Sequence, residues 1–275
     1  MAFNFAAATK ESVQDLTNNK LGVLILGQSG GGKSSIAGTF GCKTLYLYTT
    51  GESHGAKSAA ALGNKNIVPV CLDYTDGASL SANETYQRLA DILTDVAGIK
   101  AQGFGAVVVD GATELEAIIR ETNKWKALCT TKDGKHNSFA EGTQVLVMMR
   151  PVINGLKDLQ RALNIHFAMT CILDVSTLSE TGEIMESRPR LSTYGVAEGL
   201  IAQFDDRIAV GRMSKGDNVA HRIQFLAGVS RQSKDLVGNI KKTINFSPRI
   251  AGKILEDLPD TMPADLAELA AIKAK

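Results

Sequence analysis

Two hydrophobic periods alternate along this chain and mark out its elements. The run Leu21–Leu26 is continuously apolar, breaks at a glycine-rich turn and resumes as SSIAGTF, so the period changes from buried strand to helix across residues 27–40. Residues 43–50, KTLYLYTT, are rich in aromatic and β-branched side chains and predict a second strand, ended by Gly51. A short helix at 56–62 leads to a third strand, NIVPVCLDY. Tyr86, Leu89, Ile92, Leu93 and Val96 then recur at helical spacing, and Ser81 with Glu84 after it reads as a capping box. Ala106–Val109 predicts a fully buried strand tipped by Asp110, followed by a helix from about 112 to 127 that carries Trp125. VLVMMRPVINGLKDLQRAL predicts a helix interrupted at Pro151, and IHFAMTCILDVS a further buried strand.

Periodicity is lost over residues 176–195, STLSETGEIMESRPRLSTYG, which predicts a long loop. Beyond it RIAVGRM (207–213) and HRIQFLAG (221–228) predict two strands joined by a hairpin turn at Lys215, Gly216, Asp217 and Asn218. The alternation of strands and helices through residue 175 predicts an α/β fold: a mainly parallel central sheet with right-handed crossovers, flanked by helices and completed by C-terminal antiparallel strands. The organisation expected is an N-terminal arm over 1–20, a core over 21–250 and a C-terminal helical tail over 251–275 containing ADLAELAAIKA.

Composition narrows the function classes. The chain has 275 residues, 44% hydrophobic and 21% charged, with a formal net charge of +1, so any contact with nucleic acid has to come from local clusters of cations. Cys42, Cys71, Cys129 and Cys171 are far apart, with no metal-ligand spacing, and read as buried thiols in a reducing compartment. No leader pattern opens the sequence and no apolar run reaches membrane-spanning length, so a cytoplasmic location without a membrane partner is expected.

The turn after the first strand carries the strongest chemistry. Gly27, Gln28, Ser29, Gly30, Gly31, Gly32, Lys33 and Ser34 satisfy G-x-x-x-x-G-K-[ST], the phosphate-binding loop, with Ser35 continuing into the helix. Glycines let backbone amides converge on phosphate oxygens. Lys33 is placed to meet the terminal phosphates of a nucleoside triphosphate, and Ser34 to ligate Mg²⁺ through its hydroxyl. Asp110, at the carboxyl end of a buried strand, is the candidate second holder of the metal, in the Walker-B manner.

Two strands separate the phosphate-loop strand from the Asp110 strand in sequence, and a glutamate, Glu52, follows the strand after the phosphate loop. This order resembles the RecA-type ATPase core. Within that class GQSGGGKSS, LYLYTTGES, AVVVDGATEL and RPRLSTYGVAEGLIAQFDDRIAV followed by SRQSKD resemble the compact phage-borne Sak-type single-strand annealing and recombination ATPases, over roughly residues 20–250. The resemblance implies ATP and Mg²⁺ as ligands, single-stranded DNA as partner, and a homo-oligomer with nucleotide at the protomer interface, in a bacterial host cell if phage-encoded. It implies that Glu52 activates the attacking water, that Thr170 or Asp174 senses the terminal phosphate, and that Arg231 and Lys234 supply cations to a neighbour's nucleotide. Residues 130–142 and 176–195 correspond in order to DNA-contacting loops and offer Lys132, Lys135, Arg188 and Arg190, although glutamates offset the arginines and aromatic stacking residues are few. Phe5 opens a Phe-x-x-Ala spacing of the kind that tethers neighbouring subunits. Two other readings stay open: a P-loop kinase of a small metabolite, with 176–195 as its arginine-bearing lid, and a nucleotide-dependent assembly factor without DNA contacts.

Overall fold

Strand β1 (Gly22–Gly27) is buried along its whole length because parallel strands flank it on both sides. The computed structural model describes residues 20–61, 66–177, 184–204, 206–215, 218–223, 249–250, 253–254 and 266–273. The expected arm with Phe5, the turn residues Gly216 and Asp217, and the cations Arg231 and Lys234 lie outside the described residues. After β1 come helix α1 (Lys33–Ala37), β2 (Thr44–Tyr48), α2 (Ser53–Ala61) and β3 (Ile67–Cys71). A small hairpin, β4 (Tyr74–Thr75) and β5 (Ala78–Ser79), precedes α3 (Ala82–Thr94) and α4 (Val96–Ala101). Then follow β6 (Ala106–Asp110), α5 (Ala112–Glu121), α6 (Asn123–Leu128), α7 (Glu141–Leu163), β7 (His166–Thr177), β8 (Ile184–Pro189), α8 (Tyr194–Ala202), β9 (Asp206–Lys215) and β10 (Asn218–Ile223). Two short strands, β11 (Arg249–Ile250) and β12 (Lys253–Ile254), and helix α9 (Leu266–Lys273) complete the described chain.

The main sheet runs β12, β11, β9, β1, β7, β6, β2, β3, with β10 pairing β9 and β8 pairing β7. From β9 to β3 the pairs are parallel, so helices cover both faces. Strand alternation divides the core accordingly. Leu24, Leu26, Leu45, Leu47, Val107 and Val109 pack with α3, α5, α7 and α8, whereas Val23, Ile25, Tyr46, Val108 and Ile208 pack with α1, α2 and α9. Helix α9 seats Leu266 and Leu269 fully in the second cluster, and its first amides donate to the Thr39 hydroxyl at 3.0 Å and the Thr39 carbonyl at 3.1 Å.

Three elements differ from the sequence expectation. The stretch 176–195 contains no single long loop: β7 runs on to Thr177, β8 returns antiparallel to it, and α8 starts at Tyr194. Its polar composition hid the strand, because this arm is held by ladder hydrogen bonds to the outer half of β7. Pro151 does not interrupt α7, which continues through it. Proline removes the bond to the carbonyl four residues back, at Val147, and both residues sit on the solvent face, so the lost bond leaves no buried carbonyl unsatisfied. The expected helix at 112–127 is broken at Thr122, whose hydroxyl accepts from the Trp125 amide at 3.1 Å and starts α6. Among the described residues no helix is long and apolar enough to cross a membrane.

Candidate nucleotide site

The phosphate loop joins the carboxyl end of β1 to α1, and its last turn depends on Gly32, which caps the helix at φ 95°. That left-handed conformation is costly for any residue with a Cβ. The loop forms one wall of a cleft of about 290 Å³, from Ser29 to Ser35; Glu52, His54, Gly55 and Ser58 form the other, and Ile172 closes it on the β7 side. Glu52 belongs to a 3₁₀ turn, Thr50–Glu52, that hands β2 over to α2, and this turn brings the carboxylate over the loop.

Lys33 rests with its Nζ 3.1 Å from the Gln28 carbonyl, to which it donates. Burial pushes its pKa down, against the negative charges of Asp110 and Glu52, which favour the ammonium. Burial pushes the Glu52 carboxyl up, and the charge of Asp110 pushes it the same way while Lys33 pulls it back. The three groups therefore feel one another across the cleft.

Asp110 is buried and fixed from both sides. Tyr46, on the neighbouring β2, donates to one carboxylate oxygen at 2.6 Å, and Thr170, on β7, donates to the other. Residue 48 pairs with 110 and residue 109 with 169 in the two parallel ladders, so the sheet register itself delivers both hydroxyls. The peptide bond between Asp110 and Gly111 is cis. A Cβ added at Gly55 would stand 2.5 Å from the Ser34 hydroxyl and 2.9 Å from Asp110 Oδ2, so these two oxygens flank a space that only glycine leaves open. Hard oxygen donors bordering such a space fit Mg²⁺, which takes few protein ligands and completes its octahedron with phosphates and water.

None of the described candidates Lys132, Lys135, Arg188 and Arg190 is among the residues that line this cleft. Arg188 sits on β8 opposite Asp174, and the Arg190 guanidinium donates to Asp174 from Nε at 2.6 Å. Arg190 is thus an ion-paired residue of the hairpin arm. Lys132 and Lys135 are exposed on a tight turn closed by a bridge between Thr130 and His136 and by the Thr131 amide donating to the Lys135 carbonyl at 2.8 Å. Beside that turn Phe139 is 96% exposed, a value that singles it out from the other aromatic side chains among the described residues.

Several residues of the site are absent from the sequence reading. Tyr46 is one, since only the placement of β2 beside β6 brings its hydroxyl to Asp110. His54 and Ser58 enter the cleft because α2 starts directly after Glu52. Phe139, outside the cleft, carried a signal in its neighbours, a lone aromatic in a polar segment between Lys132 and Glu141.

A phosphate loop on a central strand, a later strand inserted between it and the aspartate-tipped strand, and helices on both faces define the class: an α/β protein with a mainly parallel central sheet and a phosphate loop at the carboxyl end of its central strand. Among solved structures the chain is similar to an ATPase of the type III secretion system of pathogenic bacteria, at 15% identity and TM-score 0.40, covering 73% of this chain and 54% of that one. It spans about half the length of that protein. It is also similar to a KaiC-like protein of Pyrococcus horikoshii, at 13% identity and TM-score 0.39 over 76% of this chain and 80% of that one. A third similarity, to the flagellar accessory protein FlaH of Methanocaldococcus jannaschii, has 11% identity and TM-score 0.38 over 77% and 80% of the two chains. No protein-family model and no curated protein matches the sequence.

Proposed function

We propose that this protein is a Mg²⁺-dependent ATPase that acts as an oligomer on single-stranded DNA, as in phage recombination, annealing or replication. The observation that carries the nucleotide half is the convergence of Lys33, Ser34 and Glu52 on one cleft, with Asp110 held by two hydroxyls and facing the Ser34 hydroxyl across a space that Gly55 keeps open. In this reading the loop amides and Lys33 bind the β- and γ-phosphates, and Ser34 and Asp110 hold Mg²⁺. Held by these residues, the ion would supply positive charge against the negative charge developing on the transferred phosphoryl group. Glu52, whose carboxyl is less acidic than usual, orients and deprotonates the attacking water. A neighbour's Arg231 or Lys234 would complete the charge balance.

The DNA half is supported by the turn over residues 130–139, outside the cleft lining. An aromatic ring almost wholly in solvent beside Lys132 and Lys135 has the chemistry of a base-stacking platform with phosphate contacts. The test is ATP turnover with and without single-stranded DNA, across a salt series. Stimulation by DNA that fades steeply as salt rises is the expected result, with turnover abolished in Lys33→Ala and stimulation alone lost in Phe139→Ala. Turnover indifferent to DNA removes the DNA half, and unchanged turnover in Lys33→Ala removes the nucleotide site.

A further inference from the structure

The outer half of β7 brings a second cation beside a residue that lines the cleft. Ile172 stands opposite Gly27, the first residue of the phosphate loop, in the parallel ladder, and it lines the cleft. On its other edge the Ile172 carbonyl accepts from the Arg190 amide at 2.7 Å. Arg190, Ile172 and Gly27 thus form one row across the sheet, about two strand spacings or roughly 10 Å wide. Thr170, Ile172 and Asp174 alternate onto the same face of β7, so the pair between Asp174 and Arg190 lies on the side of the cleft and of Asp110.

The backbone of Arg190 is anchored and its side chain is exchangeable. The Thr113 hydroxyl, in the first turn of α5, donates to the Arg190 carbonyl at 3.2 Å, and two residues further the Ser192 amide donates to the buried Glu116 at 2.9 Å. By contrast the side chains of Arg190 and Asp174 are 53% and 39% exposed. An ion pair that open to water contributes little, and a partner with higher charge density displaces it readily. A terminal phosphate is such a partner, and a planar guanidinium meets its oxygens in two parallel hydrogen bonds.

We infer that Arg190 reads the γ-phosphate of a nucleotide bound in its own subunit, and that Asp174 holds it in reserve until a triphosphate draws it across. The inference rests on the nucleotide reading of the cleft and deepens it. It assigns Arg190 to discrimination between nucleoside triphosphate and diphosphate, with Asp174 as its positioning residue. Without Arg190 to neutralise it, Asp174 would repel an incoming triphosphate.

The experiment is equilibrium binding of ATP, in its slowly hydrolysed form, and of ADP, each with Mg²⁺, to the full chain and to Arg190→Gln, Arg190→Ala, Asp174→Asn and Lys33→Ala. For both Arg190 variants the expected result is a loss of about ten- to a hundredfold in triphosphate affinity with ADP affinity unchanged within about twofold. Asp174→Asn, which frees the guanidinium, is expected to raise triphosphate affinity selectively. An ATP-to-ADP affinity ratio unchanged in Arg190→Gln overturns the inference, as does an equal loss for both nucleotides. Absence of any nucleotide binding to the unaltered chain overturns the reading of the cleft itself, a result distinct from either of these. Asp174→Asn gives a reading that does not depend on how well the Arg190 variants fold.

Discussion

At the scale of single residues the site is governed by what surrounds two carboxylates. Asp110 is buried and depends on Tyr46 and Thr170 to satisfy both oxygens. Tyr46→Phe removes one donor from a charged acceptor that water does not reach, so stability is expected to fall by about 1–3 kcal/mol in urea unfolding, with weaker Mg²⁺-dependent nucleotide binding. Glu52 behaves differently because it is half-buried and has no such donors. Its carboxyl holds a proton above the ordinary value of 4.5. The folded chain therefore binds that proton more tightly than the unfolded chain, and the stability this contributes is full below the unfolded pKa and lost as pH rises through the folded one. Glu52→Gln is expected to raise the melting temperature at neutral pH relative to the native chain, with the difference vanishing in acid. In the proposed reaction the same substitution lowers turnover by at least about a hundredfold while ATP still binds, and it removes the acid limb of the pH–rate profile, which lies on the high side of 4.5. Turnover near the native level in Glu52→Gln takes this carboxylate out of the mechanism.

At the scale of elements, α5 connects the Asp110 strand end to the turn that carries Lys132 and Lys135. It begins directly after Asp110, and its Thr113 touches both Ile172, whose amide donates to the hydroxyl at 3.4 Å, and Arg190. One turn on, Glu116 accepts from Ser192 and from Arg120. Arg120 in turn pairs with Glu141 at 2.9 Å, and Glu141 meets His136 at 2.8 Å beside the exposed Phe139 turn. A single helix thus ties the arm carrying Arg190 to the turn carrying Lys132 and Lys135. Glu116→Ala takes the shared acceptor away from the Ser192 amide and hydroxyl and from Arg120. The expected cost is about 1–3 kcal/mol in chemical unfolding, with faster amide hydrogen exchange confined first to residues 190–193. Protection there equal to that of the native chain contradicts this account of the helix.

At the scale of the whole molecule, a parallel sheet with two apolar faces requires cover on both, and α9 supplies part of one. Leu266 and Leu269 are fully buried beside Ile36 and Phe40, under the helix that leaves the phosphate loop. Leu269→Ala leaves a cavity in a packed core, with an expected cost of about 2–5 kcal/mol read from thermal or urea unfolding. Loss of less than about 1 kcal/mol indicates that this helix contributes little to the core.

Chain order alone determined the parts of this protein whose cause is local. The phosphate loop was legible because its amides, its lysine and its serine are contiguous, and the buried strands because continuous apolar runs such as Ala106–Val109 suit the middle of a parallel sheet. What only the tertiary structure decided depends on neighbours distant in sequence. The insertion of β7 between β1 and β6 brings Thr170 to Asp110 and Ile172 to Gly27, the register of β2 on β6 brings Tyr46, and the return of β8 along β7 places Arg190 on Asp174. Each of these contacts is set by a pairing of strands, which backbone hydrogen bonds and burial choose jointly and no single stretch of residues encodes.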